Sequence, residues 1–245
     1  LLLHDLTFLY DFRAFKKSTL FFYKRYFPKF LHKATTIATG SACLKKDLFI
    51  RYKIAEEKMD VVAPAAREAF LPVDESVKEE TKWKYSEGKS YFIYNQAVHS
   101  KKSLVTLLKA FSIFKKRQKS NWKLVVAGSI ENDSRSFTES LKAYKYRDDI
   151  VLTGSVKEED LVKLIGSAYA LIRPIQQDGA DGLLLDAMSC HIPVIASADP
   201  FTKEIAGDAV LFANTDDHTD VAEKMMLLYK DESLRSRLVV KGKTV

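Results

Sequence analysis

The sequence predicts an α/β fold with a parallel, doubly wound sheet. From Ser90 onward, short apolar runs alternate regularly with amphipathic helical patterns. The apolar runs lack polar alternation, which is typical of strands covered on both faces. Because each parallel step needs a crossover helix, this alternation predicts a Rossmann-like sheet flanked by helices. The predicted strands are Tyr91–Tyr94, Lys123–Ala127, Ile150–Thr153, Tyr169–Ile172, Pro193–Ala196 and Ala209–Phe212.

The helices between these strands have apolar residues on one face. The clearest pattern places lysines opposite an apolar stripe of Leu104, Leu107, Leu108, Phe111 and Phe114. Further helices are predicted at Ser134–Tyr144, Glu158–Ser167, Gly182–Cys190, Thr202–Ile205 and Thr219–Tyr229. Gly128 and Gly154 each follow a strand directly, where such a sheet places its ligand-facing turns. Either glycine can equally be an ordinary turn residue.

The beginning of the chain shows an incomplete version of the same pattern. We predict a strand end at Leu1–Leu3, a long helix interrupted near Pro28, strands at Thr35–Thr39 and Met59–Val62, and a helix at Leu44–Tyr52. The chain is therefore divided into a partial α/β domain at 1–75, a linker or short connecting helix at 76–89, and a complete domain at 90–245. Because the chain opens inside an apolar triplet without Met, we expect a fragment.

The composition excludes several classes of protein. No apolar run reaches 18 residues, so no membrane-spanning helix is expected. Cys43 and Cys190 form no C-x-x-C pattern, and the five histidines lack ligand spacing, so we expect free thiols in a reducing compartment and no metal site.

The net charge of +7 is concentrated near the start of the chain. The stretch from Phe12 to Ala34 contains no acidic residue. Its seven cations are Arg13, Lys16, Lys17, Lys24, Arg25, Lys29 and Lys33, interleaved with aromatic rings. This segment, Arg13–Lys33, suits an anionic membrane surface or a phosphate-bearing acceptor. The alternative is a core-facing helix with a solvated basic face. No nucleic-acid motif accompanies the charge, so a nucleic-acid partner is not expected.

Two carboxylates, Asp178 and Asp186, stand eight positions apart after the strand at Tyr169–Ile172. The first lies in a loop and the second is one turn into the next helix. A carboxylate placed there can accept two hydrogen bonds from a vicinal diol such as a ribose, and nearby backbone N–H groups can face a phosphate. The alternative is a capped helix with a solvent-facing aspartate.

The stretch 178–186 (DGADGLLLD) resembles the E-x₇-E region of retaining family 4 glycosyltransferases of the GT-B fold, with Asp for Glu at both ends. Further matches to that family are 193–197 (PVIAS), 204–209 (EIAGDA), 92–104 (FIYNQAVHSKKSL), 150–154 (IVLTG), 39–48 (TGSACLKKDL) and the opening His4-Asp5. The resemblance covers nearly the whole chain in register.

The resemblance implies sugar transfer from a nucleotide diphosphate sugar to a glycan or lipid-linked glycan, with retention of configuration and without metal or other cofactor. It also implies polysaccharide or cell-envelope biosynthesis. From the free thiols we expect a cytoplasmic protein, and from the basic segment Arg13–Lys33 we expect peripheral contact with the inner face of the membrane. By position, Lys102 or Lys101 would pair with the diphosphate, Asp178 would contact the donor sugar, and Asp186 would hold the ribose. His4 would lie near the acceptor and the transferred sugar. The remaining donor-binding residues would be Gly128, Gly179, Gly182 and Leu183.

The sequence also departs from the family pattern. Gln96 and Ala97 replace a Gly and a frequent Arg, Pro64-Ala65 replaces an N-G pair, and Asp181 adds a carboxylate that should repel a diphosphate. These departures leave a second hypothesis open, a catalytically degenerate GT-B module that binds a nucleotide sugar or a partner. An oxidoreductase is disfavoured because no G-x-G-x-x-G follows a strand. His4 could instead cap a turn, and Lys102 could be an exposed lysine at a helix start.

Overall fold

The computed structural model describes residues 1–10, 15–95, 101–128, 141–174 and 182–245, without the side chains of residues 7, 10, 101 and 102. The chain forms two compact units. The first unit comprises Leu1–Ala65, Gln176–Gly182 and Asp199–Gly207. The second unit comprises Ala66–Ile175, Leu183–Ala198 and Asp208–Val245.

The first unit contains a three-stranded parallel sheet. Its strands are β1 (Leu2–Leu3), β2 (Ile37–Thr39) and β3 (Met59–Val61), in the order β1-β2-β3. Its helices are α1 (Thr7–Tyr10), α2 (Lys17–Lys33) and α3 (Ala42–Tyr52), with a 3₁₀ turn at Glu56–Lys58. Apolar residues from all three strands and from these helices meet in one core. The strand–helix–strand pattern predicted for this region is confirmed.

Helix α2 corrects one prediction. It runs unbroken from Lys17 to Lys33 with Pro28 inside it, so the interruption predicted near Pro28 is wrong. An interior proline removes one helical hydrogen bond and costs about 3 kcal/mol or more. Packing on the turn that contains Pro28 opposes this cost, since the Phe27 ring lies 5.1 Å from Phe8 and 5.4 Å from Tyr52. Tertiary contacts therefore outweigh the local preference.

The second unit contains the predicted six-stranded parallel sheet. Its strands are β4 (Tyr91–Asn95), β5 (Lys123–Ala127), β6 (Ile150–Gly154), β7 (Ala170–Arg173), β8 (Val194–Ser197) and β9 (Leu211–Ala213). Their order is β6-β5-β4-β7-β8-β9, and every neighbouring pair is parallel. β4, β5, β7 and β8 are apolar and almost fully buried, which explains why the sequence lacks alternation there.

Helices accompany the strands in chain order. They are α4 (Glu75–Ser86), α5 (Lys101–Gln118), α6 (Glu158–Gly166), α7 (Leu183–Ser189), α8 (Pro200–Ala206, in the first unit), α9 (His218–Lys230) and α10 (Glu232–Gly242). The predicted apolar face of α5 is buried from Leu104 to Phe114, as expected. The predicted helix Ser134–Tyr144 lies mostly outside the described residues. In the described parts of the chain, no helix is long and apolar enough to cross a membrane.

Candidate functional site

The strand order of the second unit reverses between β4 and β7. The chain progresses from β4 to β5 and β6 on one side, and from β7 to β8 and β9 on the other. Crevices that bind ligands in open α/β sheets lie outside the carboxyl ends of the strands at such a reversal. The segment after β4 leads to Lys101 and Lys102, the first residues of α5, and the segment after β7 leads to α7.

Two predicted site residues, Asp178 and Gly179, lie in the segment after β7 and fall outside the described residues. The residues that depart from the family pattern, Gln96, Ala97 and Asp181, are also outside, as is His99. Lys101 and Lys102 have a described backbone position only, at the start of α5. Their predicted roles therefore stay predictions.

Gly128 directly follows strand β5, and Gly154 is the last residue of the neighbouring strand β6. The Gly128 N–H donates to the Gly154 carbonyl over 2.9 Å. Their φ angles are 119° and 66°, values that glycine adopts without the strain of a side chain. The ends of these two strands are therefore bonded to each other, and the Gly128 backbone is positioned by its neighbour.

Asp186 lies in the first turn of α7, directly after the loop that follows β7. Its side chain is fully buried. Both carboxylate oxygens accept hydrogen bonds from Arg67. The backbone N–H of Arg67 donates to Oδ1 over 2.9 Å, while Nε and Nη2 donate to Oδ2 over 3.0 and 2.7 Å. The solvent-facing aspartate considered as an alternative is therefore wrong, because this carboxylate is held inside the unit.

Arg67 itself was not predicted from the sequence. Its Nη1 donates to Glu158 over 2.9 Å, and its guanidinium lies 4.1 Å from the centre of the Phe70 ring. Burial acts to lower the pKa of Arg67, but the hydrogen bonds and charges of Asp186 and Glu158 outweigh it and raise the pKa. The guanidinium therefore stays charged and bridges two carboxylates.

A second basic residue that was missed, Arg173, ends strand β7. Its side chain is 2% exposed, and it is the largest fully buried side chain among the described residues. Burial raises the pKa of the neighbouring Tyr94 hydroxyl to about 12, whereas the charge of Arg173 lowers it. The sequence signal was available, since Arg173 is a lone cation directly after the apolar run Tyr169–Ile172.

His4 is exposed and follows β1 in the first unit. This placement is at the carboxyl end of a parallel strand, as its resemblance to the family implies. Gly182 is the turn residue before α7, and Leu183 is the first residue of that helix. Of the predicted donor-binding residues, five belong to the second unit: Lys101, Lys102, Gly128, Leu183 and Asp186.

Helix α3 has its first N–H groups covered by two side chains. The Ser41 hydroxyl accepts a hydrogen bond from the N–H of Leu44 over 3.0 Å. Glu204 of α8 accepts from the N–H groups of Ala42 and Cys43 over 2.6 and 2.8 Å. A carboxylate is favourable at a helix N-terminus because it satisfies unpaired donors and the helix dipole. Glu204, part of a segment that resembles the family, thus has a structural role here.

Within the described ranges, no group of three or more His, Cys, Asp or Glu side chains could hold a metal ion. The described residues offer hydrogen-bonding and charged groups at Asp186 and Arg67, and the backbone of α5 begins after β4, the other strand at the reversal. This chemistry suits a ligand that carries hydroxyl groups and phosphates.

The comparisons with known proteins agree with this picture. A family model described as Glycosyl transferases group 1 matches residues 77–245, more than half of the chain. O-antigen chain mannosyltransferase B from Escherichia coli is 22% identical over 223 residues, covering 89% of this chain and 58% of that protein. O-antigen chain mannosyltransferase RfbU from Salmonella typhimurium is 24% identical over 214 residues, covering 85% and 56%. This chain thus spans less than two thirds of either relative.

One solved structure with a similar fold is Anabaena Alr3699/HepE in complex with UDP and glucose. Its TM-score is 0.80 at 13% identity, and the match covers 99% of this chain and 65% of that one. At this level of identity the likeness concerns the fold alone. It confirms the predicted α/β fold of the GT-B type.

Proposed function

Because this chain belongs to the group 1 glycosyl transferases, we propose that the whole protein transfers a sugar from a nucleotide diphosphate sugar to a glycan or lipid-linked glycan. The observation that carries the proposal is the reversal of strand order between β4 and β7. The segments that follow these two strands in the chain contain most of the predicted donor-binding residues. The O-antigen mannosyltransferase names of two relatives support a role in surface polysaccharide assembly. The UDP and glucose named for the solved relative support a nucleotide sugar donor.

The proposed mechanism is electrostatic and retains the anomeric configuration. Lys102, with Lys101 beside it, neutralises the negative charge that grows on the departing diphosphate, and backbone N–H groups near Gly128 and Gly179 contribute donors. Asp178 contacts the donor sugar, and Asp186 accepts from the ribose hydroxyls. His4 contributes on the acceptor side. No metal or other cofactor is required, because the charge is met by these groups.

The proposal is tested by a screen for nucleoside diphosphate release with the whole protein. GDP-mannose and UDP-glucose are supplied with candidate glycan acceptors in the presence of EDTA. We expect release with one donor, unchanged by EDTA, and a product that retains the anomeric configuration by NMR. Lys102→Ala should lower kcat and kcat/KM together, because it removes an interaction made in the transition state. Loss of activity in EDTA or an inverted product would contradict the mechanism.

The control for that variant is Lys109→Ala. Lys109 is an exposed lysine further along the same helix α5, so its removal changes the net charge equally. We expect Lys109→Ala to retain the rate of the unmodified protein. An equal loss in both variants would show that Lys102 acts only through the general charge of the helix.

One observation favours a second candidate function, a degenerate module that binds a nucleotide sugar without turnover. In this structure Arg67 covers Asp186, so the predicted ribose contact is closed. This candidate predicts thermal stabilisation by UDP or GDP with no diphosphate release from any donor. Stabilisation by NAD alone would exclude both candidates.

We also propose that the protein associates peripherally with the anionic cytoplasmic leaflet through Arg13–Lys33. Helix α2 leaves the rings of Phe21, Phe22, Tyr26 and Phe30 exposed. Its lysines and Arg25 are exposed as well. Exposed rings beside cations suit the interface of an anionic bilayer, where the rings enter the headgroup region and the cations meet lipid phosphates.

A further inference from the structure

Arg67 takes up most of the hydrogen-bonding capacity of the Asp186 carboxylate. An ionised carboxylate offers about four acceptor positions on its two oxygens. Arg67 fills three of them, two on Oδ2 with Nε and Nη2 and one on Oδ1 with its backbone N–H. A vicinal diol that donates two hydrogen bonds needs two positions. The same carboxylate therefore cannot hold both the Arg67 side chain, as it does here, and a ribose.

Exposure indicates which partner can move. The Asp186 side chain is 0% exposed, whereas the Arg67 side chain is 45% exposed. A half-exposed arginine can turn toward water, while a buried aspartate in the first turn of α7 cannot. Arg67 also keeps a second anion, since Glu158 accepts from its Nη1 and is itself exposed. Leaving Asp186 would thus not leave the guanidinium without a counter-charge.

We propose that Arg67 competes with the donor ribose for Asp186 and so sets the affinity of the donor site. Without donor, the guanidinium neutralises and covers the carboxylate. When the donor binds, the ribose hydroxyls replace the hydrogen bonds from Nε and Nη2, and Arg67 stays beside Glu158. The backbone N–H of Arg67 keeps its bond to Oδ1, so the carboxylate remains oriented. The inference rests on the proposed function, because it requires Asp186 to face a nucleotide ribose.

The competition makes an unusual prediction, because weakening the ion pair should tighten ligand binding. Arg67→Lys keeps the positive charge but loses the planar fork, and Arg67→Gln removes the charge while keeping an amide donor. Both leave the backbone N–H in place. We expect each variant of the whole protein to bind UDP or GDP about tenfold more tightly by calorimetry, the effect of about one charge-assisted hydrogen bond. Both should also melt at a lower temperature without ligand.

Two controls separate this role from a purely structural one. Arg51→Lys changes an arginine of similar exposure, 44%, which pairs with Asp47, and should leave nucleotide affinity unchanged. The 2′,3′-dideoxy forms of UDP and GDP lack the competing hydroxyls, so the Arg67 variants should not bind them more tightly than the unmodified protein does. A merely structural ion pair would instead lower stability and leave affinity unchanged or weaker for every nucleotide.

The outcomes distinguish this inference from the proposed function. If the unmodified whole protein binds neither UDP nor GDP, the donor site is absent and both proposals fail. If it binds the ribonucleotides but Arg67→Lys and Arg67→Gln do not tighten binding, only the competition is overturned. Equal tightening toward the dideoxy nucleotides would also overturn it, because the ribose hydroxyls would then play no part.

Discussion

Burial is the main influence on the chemistry of Cys190, which directly follows helix α7. Burial, and after it the negative charge of Asp186, raises the pKa of the Cys190 thiol to about 12. Thiolates are the reactive form, so at pH 8 roughly one Cys190 in ten thousand is ionised. Cys43 in α3 is only half-buried. The two cysteines of the chain should therefore differ strongly in reactivity.

This difference predicts the outcome of alkylation. Iodoacetamide at pH 8 should modify Cys43 and leave Cys190 unmodified in the folded protein, as read by peptide mass spectrometry. In urea both should react, because unfolding removes the burial that raises the pKa of Cys190. Fast modification of Cys190 in the folded protein would show that its surroundings are open to water.

The Asp186 site shows what could be predicted at the scale of residues. The spacing from Asp178 and the following helix indicated Asp186, because these signals are local in the sequence. Its partner Arg67 lies 119 positions away, and no local pattern connects the two. The same limit applies to Glu204, whose role depends on backbone N–H groups 161 and 162 positions away. Long-range partners of a charged group are decided by tertiary packing.

Among the elements, helix α2 has a buried face and an exposed aromatic face. The sequence alone did not show which of its rings belong to which face. Phe27 and Leu31 are buried in the first unit, as the core-facing interpretation expected. Phe22, Tyr26 and Phe30 follow each other at intervals of four, so they share a face, and they are 46%, 41% and 47% exposed. The Phe22 and Tyr26 ring centres lie 5.1 Å apart. One helix therefore serves the core and also presents an aromatic surface.

This surface should bind anionic vesicles. We expect the whole protein to co-sediment with phosphatidylserine-containing liposomes at low salt and less so at high salt. Replacing Lys24, Arg25 and Lys29 with Gln should reduce binding roughly a hundredfold, at about 1 kcal/mol for each cation near the surface. Replacing Phe22, Tyr26 and Phe30 with Ser should weaken binding at both salt concentrations.

Phe49→Ser is the matched control for the ring variants. Phe49 lies in α3 and is 45% exposed, so its replacement removes a similar exposed ring outside the α2 face. We expect this variant to bind vesicles like the unmodified protein. Absence of binding at every salt concentration would contradict the membrane role of α2.

At the scale of the whole molecule, the class of the larger sheet was predictable because strands buried on both faces have a local apolar signature. The division of the chain into domains stays a prediction. The segment 76–89, predicted as a linker or short connecting helix, forms most of α4, and the second unit begins earlier, at Ala66. Val73 packs so closely on Gly166 that an added Cβ there would meet it at 3.0 Å. Contacts of this kind leave no pattern in the sequence.

The stability of two fragments can show whether the second unit begins at Ala66 or at residue 90. The fragment 66–245 should give a cooperative thermal transition, whereas 90–245 should melt at a markedly lower temperature or aggregate. The shorter fragment loses Phe70, which is fully buried, and Glu87, which pairs with the buried amine of Lys123. An unpaired buried ammonium is costly. Equal melting temperatures by circular dichroism would support the division at residue 90 and contradict this expectation.

The placement of helix α8 in the first unit has a consequence for recombination between related proteins. A recombination event that replaced only the first 65 residues would bring in a new α3 but keep the old Glu204, which accepts hydrogen bonds from Ala42 and Cys43. Because the donors are backbone N–H groups, a hybrid with a relative keeps this contact whatever side chains stand at positions 42 and 43, provided that the incoming helix begins at the same residue and that neither position is proline.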